Sequence, residues 1–330
     1  MKSLRFLTFL VFCTQFKLAA FAPELLGESP SAYLMPKGQA EISLEHYRVN
    51  DTLDVFDVRQ SITGSSETEV GDMDGFGLGL NFGLSDRYTF LYKRSRKNYD
   101  FGRGVLDVKS ESAGIRFNWK QGEGNKPLIS AQLTYRSNRG EGINRIFSTV
   151  TMNGVAFTFP RPVKLEFGGV KDDEFGFMLM ASKSLKPKLL GTVFGEVAFG
   201  DVKSELNSDL PLNELQSILD VLSYGQTKLD LGYALKYKMD DTYTLHFDYH
   251  FIKMDRDMDV SDPVDTNEIL NLKLTKKQSK HKYWFAEAKY LDNQFIGEHS
   301  FLYNKRVASR SDEKYGYLGF GYTFRYGYGK

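Results

Sequence analysis

Hydrophobic and polar residues alternate with a period of two along most of this chain. The alternation is cleanest at 75–84, where Phe76, Leu78, Leu80, Phe82 and Leu84 interleave with Gly75, Gly77, Gly79, Asn81 and Gly83. Successive side chains of a strand point to opposite faces, so such a segment has one apolar face and one small or polar face. The same pattern predicts twelve strands, over 39–49, 75–84, 87–98, 107–120, 128–138, 173–184, 189–202, 226–239, 242–254, 267–276, 281–291 and 312–326. Outward aromatics and aliphatics on nearly every strand, backed by a polar inner face, predict an all-β fold: a transmembrane antiparallel up-and-down β-barrel. The count becomes fourteen if 52–59 and 295–306 also span. A soluble β-sandwich would not carry such outer faces.

The connections support a barrel. Tight turns at Ser85-Asp86, 122–126, 185–187 and Asp240-Asp241 alternate with longer connections, so short turns gather at one end and long loops at the other. In an outer-membrane barrel the short turns are periplasmic and the long loops extracellular, which places both termini in the periplasm. Two loops carry patterns of their own. Asn153-Gly154 between 146–152 and 155–159 predicts a hairpin pairing Met152 with Val155, Val150 with Phe157 and Ser148 with Phe159. Such a hairpin either continues its strands above the membrane or folds over the pore. Leu212, Leu215, Ile218, Leu219 and Leu222 recur at helical spacing after Pro211, predicting a helix over 211–222 at the rim or on the outer lipid surface.

Residues 1–22 have the form of an export signal: Lys2 and Arg5, a short apolar run at 6–12, then small residues. A periplasmic lead over 23–38 and a barrel over 39–330 follow. Cys13, the only cysteine, departs with the signal, which leaves no thiol, disulfide or cysteine metal ligand. No apolar run near 18 residues remains, and without a spanning helix only a closed barrel satisfies its backbone in lipid. Losing Lys2, Arg5 and Lys17 takes the formal charge from +1 to about −2, which implies no nucleic-acid partner.

The run Tyr317-Leu318-Gly319-Phe320-Gly321-Tyr322-Thr323-Phe324 resembles the C-terminal assembly signal of bacterial outer-membrane barrels, with Tyr317, Gly319, Tyr322 and Phe324 carrying the likeness. The resemblance implies a Gram-negative outer membrane, insertion by the barrel assembly machinery, and contact with outer-membrane lipid and lipopolysaccharide. Residues 325–330 extend past the signal, so the last lipid-facing anchor is Phe324 or Tyr326.

Function is sought on the inner wall. Alternation places Lys93, Arg116, Lys120, Arg136, Lys228, Lys236, Lys238, Lys273, Lys289 and Arg325 there, against Glu41, Glu45, Glu174, Glu196, Asp230, Asp248 and Glu287. Such a wall either fills with ion pairs or lines a channel biased toward anions, with a cationic mouth at Lys120, Lys238 and Arg325. His246, Asp248 and His250 share one inward face at steps of about 7 Å. A tight metal site needs three or four converging ligands, so neither a metal nor a cofactor is expected. Outer-membrane phospholipases use an outward His and Ser near the rim, and the nearest candidates are His299-Ser300; adjacent strand residues face opposite ways, and no Gly-x-Ser-x-Gly run occurs. The expected function is a porin-like channel for small polar, anionic solutes, with a closed surface-interaction barrel or a lipid-modifying enzyme as alternatives.

Overall fold

The computed structural model describes residues 30–49, 73–100, 105–120, 126–141, 144–152, 155–208, 223–258, 263–293, 296–300 and 314–327. The export signal, the start of the lead, the Asn153-Gly154 turn and the helix at 211–222 lie outside the described residues. The strands are β1 (Ala40–Val49), β2 (Met73–Ser85), β3 (Tyr88–Asp100), β4 (Val105–Lys120), β5 (Leu128–Gly140), β6 (Asn144–Met152), β7 (Val155–Lys186), β8 (Leu189–Ser208), β9 (Tyr224–Lys238), β10 (Tyr243–Arg256), β11 (Thr266–Lys277), β12 (Lys282–Leu291) and β13 (Tyr315–Tyr326). Each pairs antiparallel with its neighbours, and β1–β13 and β5–β7 pairing closes a ring of twelve strands with β6 outside it. The closed ring holds twelve of the thirteen described strands, and 52–59 and most of 295–306, on which a count of fourteen rests, lie outside the described residues.

Register keeps apolar residues together on the outside. Ile42, Leu80 and Tyr92 lie side by side on β1, β2 and β3, as do Tyr135, Phe175 and Phe199 on β5, β7 and β8. Phe76, Trp119, Phe175 and Phe199 each leave more than half of their surface exposed on this face, a belt suited to lipid and costly in water. The short turns are set by local hydrogen bonds. Asp240 Oδ1 accepts from the backbone N–H of Thr242 and of Tyr243, each at 2.7 Å, and Ser279 Oγ accepts from His281 N at 3.2 Å and Lys282 N at 3.1 Å. The first turn lies at Asp86-Arg87, one residue beyond expectation, because a register shift between Gly83 and Ser85 lengthens β2.

At the long-loop end β6 and the first part of β7 form the expected hairpin, continuous with the barrel wall through the 32 residues of β7. Met152 pairs with Val155 and Val150 with Phe157, but Ser148 does not pair with Phe159. The register shifts between Phe147 and Thr149, and Phe147 sits opposite Val163. Pro160 and Pro162 lack the backbone donor that an unbroken ladder requires there.

Candidate functional site in the barrel lumen

The lumen is layered. Nearest the long loops is an apolar collar that includes Tyr47, Met73, Tyr99, Val202, Ile252 and Tyr315, all buried. Part of the β12–β13 connection, 296–300, folds into this collar, with Ile296 in the apolar cluster and the main chain held by side chains from three sectors of the wall. Asn267 Nδ2 donates to Ile296 O at 2.8 Å, Asn138 Nδ2 to Glu298 O at 3.2 Å, and Tyr224 Oη to Ser300 O at 2.6 Å. Gln226 Nε2 donates to Ser300 Oγ at 2.7 Å, and Tyr99 Oη lies 2.8 Å from His299 Nε2. This upper plug leaves His299 and Ser300 only 4% and 6% exposed, inside the barrel and away from the outer wall on which a phospholipase pair would stand.

Burial, with Lys97 beside it, pushes the His299 imidazole down to about 3. It is therefore neutral in the docked plug, where its Nε2 shares a hydrogen bond with the Tyr99 hydroxyl. A base with a depressed pKa stabilises the docked state fully above its ordinary value of 6.5, and that contribution is lost as pH falls toward 3. Of its charged neighbours, Glu298 remains anionic because Lys289 and Lys97 outweigh its burial and hold its carboxyl below the usual range. Acidification to about pH 4 should loosen the plug. Amide exchange at 296–300, corrected for its intrinsic pH dependence, should accelerate relative to the strands; equal protection at pH 7 and 4 would contradict this.

The middle layer is charged and splits into two sectors that face each other across the ring. On β5 and β7–β10, Arg136 Nη1 lies 3.0 Å from Glu174 Oε1, and its Nη2 pairs with Glu196. Lys228 Nζ sits 2.8 Å from Glu174 Oε1 and 3.7 Å from Glu196 Oε2. Beside them, His250 bridges Asp230 at 2.9 Å and Asp248 at 3.3 Å. On β1, β3 and β11–β13 the balance is basic. Lys93 pairs with Glu45 at 2.9 Å, Lys273 lies 3.6 Å from Glu287, and Lys289 pairs with Glu298. The glycines of β2 make this sector possible: a Cβ at Gly77 would lie 3.0 Å from Glu45 Oε2, and their small face lets Lys93 reach Glu45 across an intervening strand. The Lys93 side chain is nonetheless 53% exposed, and that of Arg136 31%, although both point inward. The middle layer therefore holds water-accessible space.

The third layer closes the short-turn end. Residues 30–38 turn into the mouth of the barrel, with Ala32 and Met35 fully buried. Ala32 N donates to Ser182 Oγ at 2.8 Å, Ser130 Oγ donates to Ala32 O, and Met35 N donates to Thr89 Oγ1 at 2.8 Å. The 30–38 segment itself has no period that would reveal this lower plug, whose ties are main-chain groups meeting hydroxyls of the wall.

No protein-family model and no curated protein matches the chain. Among solved structures it is similar to the translocator domain of the autotransporter NalP from Neisseria meningitidis, with a TM-score of 0.52 at 13% identity, covering 88% of this chain and 90% of that one. It is also similar to the NanC porin, at 0.48 and 10% over 86% and 98%, and to LpxR from Salmonella typhimurium, at 0.47 and 10% over 87% and 99%. The fold is that of a bacterial outer-membrane β-barrel.

Within this outer-membrane barrel the expected site residues separate. The cationic mouth is engaged: Arg116 donates to Gln132 Oε1 at 3.0 Å and to Tyr33 O at 3.3 Å, Lys238 pairs with Asp241 at 2.8 Å, and Arg325 lies 3.8 Å from Glu41. Lys236 is buried, and Lys120, just past a bulge, is exposed. The histidine constellation divides. Asp248 and His250 meet, whereas His246 Nε2 lies 3.4 Å from Thr275 Oγ1, and among the described residues no group is arranged to hold a metal. Asp230, on the neighbouring strand, is the His250 partner that a reading along one strand does not reveal. In β13, Tyr322, Phe324 and Tyr326 face outward, Tyr326 ends the strand, and Tyr317 is buried inside.

Proposed function

We propose that this barrel is an outer-membrane channel for small polar solutes, anionic ones by preference, resting closed behind two plugs formed by its own chain. The supporting observation is the water-accessible charged layer between segments held only by non-covalent contacts. A low-dielectric wall focuses the field of such charges, and the half-exposed Lys93 gives a passing anion a first contact. The short turns and both termini face the periplasm, the barrel assembly machinery inserts the chain through its closing strand, and lipid with lipopolysaccharide surrounds the belt. The tightly paired Arg136, Glu174, Glu196 and Lys228 favour a second reading, a closed barrel that acts through its loops.

Single-channel recording in planar bilayers tests the choice. Intermittent openings with anion-selective reversal potentials support the channel, and Lys93→Glu should reduce that selectivity; permanent silence, with the plugs shown to be released, supports the closed barrel. Orientation is tested separately. Single cysteines at Gly64, Asn153 and Asn213 should react with an impermeant reagent on intact cells, while one at Asp240 should not.

Lipid exposure has its own test. Leu80→Lys should cost about 2 to 4 kcal/mol of stability, the penalty for a lysine at the midplane of a barrel. Gly79→Lys points inward at Ser43, whose side chain can rotate away, and should leave the lipid face intact. Equal losses in vesicle unfolding would contradict the assigned faces.

A further inference from the structure

Glu298 reaches from the upper plug into the basic sector, and its surroundings are those of a ligand site. Lys289 Nζ pairs with its Oε1, while Oε2 is buried without a hydrogen-bond partner. Lys97 Nζ lies 4.9 Å from the Tyr47 ring centroid and 4.8 Å from that of Tyr317, two rings that meet edge to face at 5.5 Å. Lys289 lies 5.7 Å from the Tyr317 centroid and Lys93 5.9 Å from that of Tyr47. Three ammonium groups thus surround a pair of tyrosines. Among the described residues Lys97 has no carboxylate at ion-pair distance, so ring faces stand in for one.

The charge balance points the same way. Lys93, Lys97, Lys273 and Lys289 face Glu45 and Glu287 from the wall, and Glu298 from the plug is the further acid. Take the plug away, and two ammonium charges lack a carboxylate in a layer that already admits water. Such a sector attracts a replacement anion.

Resting on the channel reading, we propose that the Lys97–Lys289 sector with Tyr47 and Tyr317 is a carboxylate-binding site, and that Glu298 occupies it as a built-in stand-in for the solute. A solute carboxylate takes the place of the Glu298 carboxylate on Lys289, with Lys97 free to approach it from the tyrosine rings. Among the described residues the other ties of the plug include neutral hydrogen bonds and one buried isoleucine, and the plug leaves the collar when its charged contact is lost. Solute binding and opening of the long-loop mouth are then one event.

The experiment uses the full mature chain in liposomes with Ser300→Cys as the sole cysteine and measures its modification by an impermeant maleimide. Glu298→Gln should accelerate labelling about tenfold, the effect of losing one charge-assisted contact. Exchanging chloride for acetate at constant ionic strength should accelerate the Glu298 chain, acetamide should not, and the acetate response should vanish in Glu298→Gln. Lys289→Gln should likewise release the plug and abolish the acetate response, so the proposal does not depend on one variant folding. Labelling unchanged by Glu298→Gln and Lys289→Gln, or equal acceleration by acetate and acetamide, overturns the site. Labelling requires no current. A response to acetate in a barrel silent in bilayers leaves the site standing and removes the channel; conductance with labelling indifferent to Glu298 does the reverse.

Discussion

Lys228→Met should cost about 3 to 5 kcal/mol of folding stability, because it leaves buried carboxylates short of a partner. The Lys228 side chain is 2% exposed, between Glu196 at 2% and Glu174 at 8%, and its removal leaves Arg136 facing both acids alone. The methylene stem of lysine is replaced well enough by methionine, so the loss is one of charge balance and not of volume. Glu174→Gln in the same chain should restore much of the stability. Urea unfolding in lipid vesicles reads both, with Trp119 and Trp284 on the outer wall as fluorescent reporters of the lipid face. A loss below about 1 kcal/mol would place the cluster with exposed pairs that contribute little, and a double variant no better than the single would show that Glu174 is not the group left uncompensated.

Alternation was enough to assign faces. It puts Glu174, Glu196 and Lys228 inside and Phe175 and Leu229 outside without any knowledge of pairing, since a period of two survives wherever one face meets lipid. Partners needed the register between strands. Arg136 meets Glu174, and Lys273 meets Glu287, because those residues lie directly opposite each other on paired strands. His250 finds Asp230 across a one-pair diagonal that no single strand displays. The two plugs were the least legible parts, for different reasons. In the upper one, ties between Asn138, Tyr224, Asn267 and main-chain carbonyls leave no periodic trace, and only the adjacent His299-Ser300 stands out in the sequence. In the lower one the trace lies on the wall, in the inward hydroxyls Thr89, Ser130, Ser182 and Thr192 gathered at the short-turn end. Small hydroxyls massed in one part of a lumen are a mark of chain passing beside them.

That lower segment yields the other large effect. Gly83→Val should drive residues 30–38 out of the mouth, since even a Cβ at Gly83 would lie 2.0 Å from Pro36 O and 2.6 Å from Met35 O. Both are main-chain atoms, so no change of rotamer relieves the clash. The substitution also strains the exchange in which Gly38 N donates to Gly83 O at 2.8 Å and Gly83 N donates to Gln39 O at 2.9 Å. Losing these two bonds, each worth about 1 kcal/mol net, shifts the docking equilibrium by about tenfold or more before any steric cost is added. An Ala32→Cys reporter should therefore label at least about tenfold faster in the Gly83→Val chain, and Ser130→Ala with Ser182→Ala should act in the same direction through the Ala32 ties. In planar bilayers Gly83→Val should lengthen openings, and together with Glu298→Gln the gains should multiply, because the two plugs close opposite ends and are held by different side chains of the wall. Faster labelling with unchanged conductance in the doubly released chain would mean that the charged layer itself is the seal. The ion pairs of Arg136 and Lys228 would then close the barrel, and solute passage would have to break them.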